Sequence, residues 1–317
     1  MTASSVSVAD REPPDEARGA ESWWREVAGR LVRHPRGRIG LVIVGAVLLL
    51  AICGPLIAPG DYDTMDLAAL TANNHQALTP FSPGHLLGTD QLGRDLLTRV
   101  VVGAQGSLTI AFIVQLMVIL IGVPLGATAG WAGGRLDGIL MRFTDVISAF
   151  PELIFIILVS VTFIGTPLDQ WLDGLFVMFV AIGLISWITV ARLVRGEVLV
   201  LKQREFVEAA RAVGLSGPRI LVRHVMPNLL GVVVIAVSIG IPAAILAEST
   251  LSFLGLGVQP PRPSWGSLIN YGSQQLPQYP HMVIVAVIPL LLTLIGFTLL
   301  GDGLRDALDP RTRRRGA

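Results

Sequence analysis

Charged residues are scarce in this chain of 317 residues, since Asp, Glu, Lys and Arg make up only 15% of it whereas 52% is apolar. Soluble domains carry about a quarter charged residues, so this composition excludes an ordinary soluble protein. We predict an integral membrane protein, with the lipid bilayer as its surroundings. The net charge of +1 offers no broad attraction for nucleic acid, which we exclude as a partner.

Cysteine is almost absent, and so are the motifs of metal and catalytic sites. The single cysteine, Cys53, lies within the first apolar run, so the chain alone forms no disulfide and no cysteine-based metal site. The histidines are scattered without metal-ligand spacing. We find no HExxH motif and no nucleophile elbow. We therefore expect no metal site, no catalytic residue and no enzyme activity in this chain.

Lysine is equally rare, because Lys202 is the only one. A P-loop requires glycine followed by lysine and then serine or threonine, but Lys202 lies in VLKQR. The chain therefore cannot bind ATP through a P-loop. Any ATP-driven process must take its energy from another subunit.

Long apolar runs, in contrast, are abundant. A bilayer core of roughly 30 Å requires about 20 apolar residues in a helix. Six candidate runs lie at residues 39–58, 105–130, 139–165, 174–195, 229–256 and 281–302. We predict an all-α membrane protein with six transmembrane helices. In the third run, Asp145 and Glu152 are expected to pair with Arg142 or to cap a break at Pro151.

The distribution of basic residues predicts the orientation, because Lys and Arg are retained on the cytoplasmic side. With the N-terminus inside, 21 of the 24 basic residues lie in cytoplasmic segments, and only Arg94, Arg99 and Arg262 lie outside. We therefore predict that both termini are cytoplasmic. The polar residues up to about Ala20 predict a disordered tail instead of a cleaved signal.

A charged segment, REFVEAARAVGLSGPRILVRHVMPN, separates the fourth and fifth runs at residues 204–228. The spacing of Phe206, Ala209, Ala210 and Val213 predicts a short surface helix with one apolar face. Gly214 is expected to end that helix in the left-handed conformation. On periodicity alone, the helix either lies flat on the membrane or docks against a partner.

A second short helix is predicted after the glycine. Ser216 is expected to cap it, Pro218 is tolerated in its first turn, and Pro227 is expected to end it before the fifth span. The two helices then project on the cytoplasmic side, joined at the glycine bend.

The segment resembles the EAA loop of ABC-importer permeases, in which Glu-Ala-Ala is followed after three residues by glycine and later by proline. In that family the loop is the coupling helix that sits in a groove of the ATPase subunit. The ending HVMP, in place of isoleucine-x-leucine-proline, looks like the peptide-importer branch. The resemblance thus assigns ATPase coupling to the five matching residues, Glu208, Ala209, Ala210, Gly214 and Pro227.

Three further stretches resemble the second permease of dipeptide, oligopeptide and nickel importers. They are HLLGTDQLGRDLLTRVVVGAQGSL at residues 85–108, AESTLSFLGLGVQPPRPSWG at 247–266 and LLGDGLRDALDPR at 299–311. In the first stretch, Asp90 is expected to cap a helix along the outer membrane face, with Asp95 and Arg99 paired. The resemblance implies a type I importer core formed by spans two to six, with an added N-terminal helix.

The same resemblance implies partners and a location. These are a second homologous permease, two ATPase subunits that bind ATP and Mg, an extracytoplasmic substrate-binding protein, and the bacterial cytoplasmic (inner) membrane. No cofactor is expected in this chain.

Four parts of the chain follow from these predictions. Residues 1–37 form a cytoplasmic, partly disordered tail, and residues 38–102 hold the first transmembrane helix and an extracytoplasmic loop with an interfacial helix. Residues 103–303 form the ABC type I transmembrane domain with its EAA loop at 203–228, and residues 304–317 form a basic cytoplasmic tail.

Glu248 is the only carboxylate between Val225 and Pro261. Burial of a carboxylate in hydrocarbon costs several kcal/mol, so it must face the bundle interior or a wet cavity. It either lines the translocation path, where it contacts a peptide amino group, or forms a structural hydrogen bond to a neighbouring helix.

We predict the permease subunit of an ATP-driven dipeptide or oligopeptide importer that forms half of the translocation pathway. One alternative is a permease of the same family for nickel or another small solute. A second alternative is a secondary transporter or channel, which would need no ATPase.

Overall fold

The computed structural model of the chain describes residues 16–58, 60–74, 76–168 and 171–308. Residues 1–15 of the predicted N-terminal tail and residues 309–317 of the predicted basic tail lie outside this part. Within it the chain is helical, with isolated β-bridges in the loop before the second span in place of strands.

Twelve α-helices are described. In chain order they are α1 Glu16–Arg33, α2 Pro35–Ile57, α3 Leu67–Ala72, α4 Leu96–Ala132, α5 Gly134–Ser148, α6 Glu152–Phe163, α7 Leu175–Leu201, α8 Glu205–Ala212, α9 Gly217–Ile220, α10 Met226–Phe253, α11 Trp265–Ser273 and α12 His281–Leu308. A 3-10 turn at Trp171–Gly174 precedes α7, and a π-helical turn at Leu221–Val225 joins α9 to α10.

Five helices in the described ranges are long and apolar enough to cross a membrane alone: α2, α4, α7, the stretch Gly217–Phe253 that contains α10, and α12. The sixth predicted span is a bent pair, because α5 and α6 meet at 78°. The predicted span over residues 139–165 is therefore a broken one, and the break expected at Pro151 is present. Pro151 lacks a backbone N–H and disfavours helical conformation in the residue before it, so the chain leaves the helix after Ser148 and starts again at Glu152.

The second span begins earlier than its apolar run. α4 starts at Leu96 instead of residue 105, and its cap is Asp95, which accepts a hydrogen bond from the Thr98 backbone N–H at 2.8 Å. The predicted separate helix capped by Asp90 is wrong. Asp90 lies in a turn and accepts from the Arg94 backbone N–H at 3.0 Å.

The predicted pair of Asp95 and Arg99 does not form either. Asp95 lies 2.9 Å from a ring nitrogen of His85, while the Arg99 guanidinium lies 3.6 Å from the carboxylate of Asp90. His85 also lies 3.3 Å from Asp66. The backbone N–H of Ala69, and next the side chain of His85, lower the pKa of Asp66.

α1 lies in the segment predicted as a tail and packs on the last span. Val27 and Leu31 form a buried cluster with Ala307 of α12, and a ring nitrogen of His34 lies 3.4 Å from the carboxylate of Asp306. The sequence did not predict this helix, because the segment is polar overall. A few apolar residues are nevertheless enough to dock it on α12.

Two ends of the bundle position the functional residues. At one end, Lys202 after α7 and Gly217 before α10 contact Trp131 of α4, and the end of α12 lies beside α10 at Gly231; we call this the Trp131 end. The opposite end, where the Trp265 indole donates to the Val100 carbonyl at 3.1 Å, is the Trp265 end.

Glycines of α4 bring it against the backbone of α7. A Cβ on Gly126 would lie 2.3 Å from the carbonyl oxygen of Ala191, and a Cβ on Gly122 would lie 2.7 Å from that of Trp187. Small residues of this kind let membrane helices approach closely. The α4–α7 pair thus forms the tightly packed centre of the bundle.

We expect Gly126→Val to force α4 and α7 apart and to lower the free energy of unfolding by about 1–3 kcal/mol, the usual cost of overpacking. Gly45→Val in α2 is the matched control, because no atom lies within 4 Å of a Cβ there. Thermal unfolding of the detergent-purified protein measures both variants. Equal melting temperatures would contradict the packing argument.

Candidate functional site

α8 carries three of the predicted coupling residues and is a separate short helix after Arg204. Glu205 and Glu208 lie in its first turn and Arg211 in its last. Acids near a helix N-terminus and bases near its C-terminus complement the helix dipole. The predicted surface helix is therefore confirmed.

The apolar residues of α8 divide between the core and the surface. Val207, which the predicted face did not include, is fully buried and anchors the helix, with Ala210 partly buried against the same core. Val213 is 83% exposed and Phe206 is 39% exposed. Val207 and Ala210 thus attach the helix to the core, while most of the predicted face and the Glu208 carboxylate remain exposed.

Gly214 ends α8 in the left-handed conformation, as predicted, with φ of 88°. The N–H of Leu215 donates to the carbonyl of Ala210, and the N–H of Gly214 donates to that of Arg211. This is the Schellman arrangement of a helix end. No atom lies within 4 Å of a Cβ at this position, so backbone conformation and not packing requires glycine here.

Pro227 does not end a helix, contrary to the prediction. It lies in the first turn of α10, and helix runs without a break over Gly217–Phe253. The π-helical turn before it provides the reason: the Met226 N–H donates to Leu221, five residues back. This wider turn leaves room for a proline ring, which would otherwise clash with a carbonyl four residues earlier. Ser216 precedes α9, but its side chain accepts no capping hydrogen bond there.

Trp131 at the end of α4 connects residues 203–228 to the bundle. The Lys202 ammonium donates to its carbonyl and lies 5.6 Å from its ring centre, while the Arg211 guanidinium lies 5.7 Å from that ring. A Cβ on Gly217 would lie 3.1 Å from the indole nitrogen. Cation–π contacts of this kind hold the segment against α4. Sequence analysis missed Trp131 because no local pattern marks its distant partners.

A cavity of about 390 Å³ opens between α4, α7 and α10, with the start of α6 at its edge. Its lining is mainly apolar, with four polar side chains: Gln115, Glu152, Ser186 and Thr189. Gln115 escaped the sequence analysis, although a lone amide in an apolar run is a usable signal. Asp145, on the other side of the bend, pairs with Arg192 at 2.9 Å and not with Arg142.

Glu248 is fully buried and is not among the residues that line this cavity. Its carboxylate accepts hydrogen bonds from the hydroxyls of Ser107 at 2.8 Å, Ser252 at 2.7 Å and Ser249 at 3.2 Å. The bond to Ser107 crosses from α10 to α4. Of the two roles considered for Glu248, these contacts match the structural one.

Two family profiles match the chain. The profile described as binding-protein-dependent transport system inner membrane component matches residues 122–314, which is more than half of the chain. The chain belongs to this family. A second profile, the N-terminal TM domain of oligopeptide transport permease C, matches residues 22–79 of this chain.

Individual relatives cover almost the whole chain. The chain is 39% identical over 307 residues to the oligopeptide transport system permease protein OppC of Haemophilus influenzae. This alignment covers 96% of this chain and 94% of the relative. The chain is 37% identical over 306 residues to the dipeptide transport system permease protein DppC of Bacillus subtilis, covering 96% and 91%. The resemblance to ABC-importer permeases is thus confirmed at the level of the family.

A solved structure shares the fold. An inward facing conformation of the MetNI methionine ABC transporter matches with a TM-score of 0.53 and 18% identity, over 68% of this chain and 97% of that chain. At this identity the likeness concerns the fold alone. The chain therefore has the fold of an ABC importer permease, as predicted.

Proposed function

We propose that this chain is the permease subunit of an ATP-driven importer of dipeptides or oligopeptides, forms half of the translocation path and is coupled to the ATPase through α8. The observation that carries this proposal is the placement of α8. Its outer surface is exposed, while the chain continues through α9 into α10, which borders the cavity. The names of its relatives support a peptide cargo.

The proposal includes the partners. A second homologous permease completes the path, two ATPase subunits bind ATP and Mg, and an extracytoplasmic protein delivers the substrate. This chain lacks a P-loop, so it depends on those ATPase subunits. We place the protein in the bacterial inner membrane with both termini cytoplasmic. The basic residues of α1, of residues 192–223 and of α12 support this orientation.

Coupling starts at the exposed surface of α8 in this proposal. Closure of the ATPase dimer displaces Glu208, Ala209, Ala210 and Gly214. The displacement reaches α4 through Trp131, α7 through Lys202, and α10 through the π-helical turn beside Pro227. Since these three spans border the cavity, their movement opens the path toward the substrate-binding protein.

The decisive experiment reconstitutes the complete complex in vesicles and measures uptake of a labelled tripeptide. We expect uptake to require ATP, the binding protein and this chain, because ATP is hydrolysed outside this chain and the path runs through it. A complex without this chain is the control. Nickel uptake without peptide uptake would favour the alternative cargo, and uptake driven by a proton gradient without the ATPase would favour a secondary transporter.

A further inference from the structure

We propose that the cavity bordered by Gln115 and Glu152 is a binding site for the amino-terminal end of a peptide, in which Glu152 contacts the ammonium group and Gln115 accepts a backbone N–H. This inference rests on the proposed peptide import and names the chemical group that the path recognises. Four observations carry it: an unsatisfied buried amide, the way that amide is held, the sign of the lining charge, and the apolar remainder of the wall.

Gln115 lies near the middle of α4 and is only 4% exposed. Its Oε1 is buried and has no hydrogen-bond partner among the described residues. An unsatisfied buried acceptor costs about 1–3 kcal/mol, so natural proteins rarely keep one without a reason. Because Gln115 lines the cavity, a small rotation of its amide would present this oxygen to a donor on a bound molecule.

Gly240 of α10 holds the amide in place. A Cβ on Gly240 would lie 2.6 Å from Oε1 and 2.8 Å from Nε2 of Gln115. The amide therefore lies directly against the α10 backbone, and any other residue at position 240 would displace it. The amide fills the space that a side chain at position 240 would take, so Gly240 fixes where the unsatisfied oxygen lies.

The polar lining combines neutral amide and hydroxyl groups with one anion. Glu152 contributes a carboxylate, and no Lys, Arg or His among the described residues lines the cavity. The Ser186 hydroxyl already donates to the Ile182 carbonyl at 2.8 Å, so its oxygen is left to accept. Charge-assisted hydrogen bonds to a carboxylate are about twice as strong as neutral ones. Such a lining favours an ammonium group with a neighbouring N–H, as at a peptide N-terminus, and disfavours a carboxylate.

The rest of the wall is apolar and includes Ile182, Ile185, Leu193 and Ile239. An apolar wall accepts side chains of many kinds without specific pairing, while a few polar groups fix the orientation of the ligand. The volume of about 390 Å³ lies in the range of ligand sites. A single carboxylate does not make a metal site, which requires several convergent ligands.

Thiol labelling tests the site without reference to peptides. In a Cys53→Ser background, Ala243→Cys places a thiol on the cavity wall, and Leu292→Cys places one on exposed α12 away from the cavity. We expect a membrane-impermeant cationic thiol reagent to modify Ala243→Cys about tenfold faster than its anionic counterpart, because Glu152 attracts cations. Adding Glu152→Gln should abolish this preference. Equal rates for both reagents, or labelling no faster than at Leu292→Cys, would overturn the inference.

Uptake by the reconstituted complex then tests the ligand. We expect Glu152→Gln to lower uptake of a tripeptide with a free amino group about tenfold, the worth of one charge-assisted hydrogen bond, and to leave its N-acetylated form unaffected. Gln115→Leu should lower uptake of both forms. Asp145→Asn is the matched control, because it removes a carboxylate from the same bent span outside the cavity.

The two proposals fail in different ways. Peptide uptake by the wild-type complex with unchanged uptake in Glu152→Gln and Gln115→Leu would overturn only the cavity inference. A wild-type complex that imports another solute and no peptide would overturn the proposed function, and the amino-terminal site with it.

Discussion

Complexes that carry Ala209→Trp or Glu208→Lys should lose their ATPase subunits during purification, and ATP-dependent uptake should fall by more than about tenfold. Both side chains are exposed on α8, so neither substitution disturbs the core of this chain. A bulky indole prevents the close approach that alanine permits. Loss of one central interface contact typically costs 2 kcal/mol or more, which corresponds to about thirtyfold in affinity. Co-purification and vesicle uptake measure the two effects.

Matched controls are available on α1 at the same end of the bundle. Ala28 and Glu26 are an exposed alanine and an exposed helical carboxylate. Ala28→Trp and Glu26→Lys therefore repeat the two chemical changes away from α8. We expect both to keep the ATPase subunits and normal uptake. Full association and transport in the α8 variants, at normal expression, would refute the coupling role of α8.

Glu248→Ala should lower the free energy of unfolding by about 2–5 kcal/mol. The substitution removes the acceptor of three buried hydroxyls and leaves a cavity between α4 and α10. The bond from Ser107 also connects two spans, so its loss should loosen the Trp265 end. Thermal unfolding of the purified complex and the yield of folded protein measure this effect.

Glu248→Gln separates the structural role from a role in the path. Glutamine keeps the shape and one acceptor oxygen, and its amide N–H can donate to a serine oxygen in the same cluster. We therefore expect a melting temperature close to that of the wild type and near-normal transport. Loss of transport at an unchanged melting temperature would instead assign Glu248 to the translocation path.

Apolar runs sufficed to locate α2, α4, α7, α10 and α12, because length and absence of charge are local properties of a sequence. The start of α4 was misplaced because its first turn contains the buried Arg99, which the Asp90 carboxylate approaches at 3.6 Å. A prediction based on the absence of charge places an arginine outside the span. The surface helix α8 and its glycine end were predictable, since both depend on residues close in sequence.

Features that depend on distant contacts were not predictable. The proline marked the break between α5 and α6, but it did not predict the 78° angle between them. That angle depends on how α6 packs on α7. Trp131 gains its role from Lys202 and Arg211, and Gln115 gains its role from Gly240. The π-helical turn before Pro227 escaped prediction because proline normally signals the end of a helix.

The unbroken helix over Gly217–Phe253 has a mechanical consequence. Its 37 residues extend about 55 Å at 1.5 Å per residue, from the segment beside Trp131 to the serine cluster around Glu248. A tilt of about 10° around its midpoint would swing each tip by about 5 Å in opposite directions. Ala236 and Gly240 on the cavity wall lie close to that midpoint. A helix of this length can therefore act as a lever with its pivot beside the cavity, because its two tips move in opposite directions while the cavity wall stays almost still.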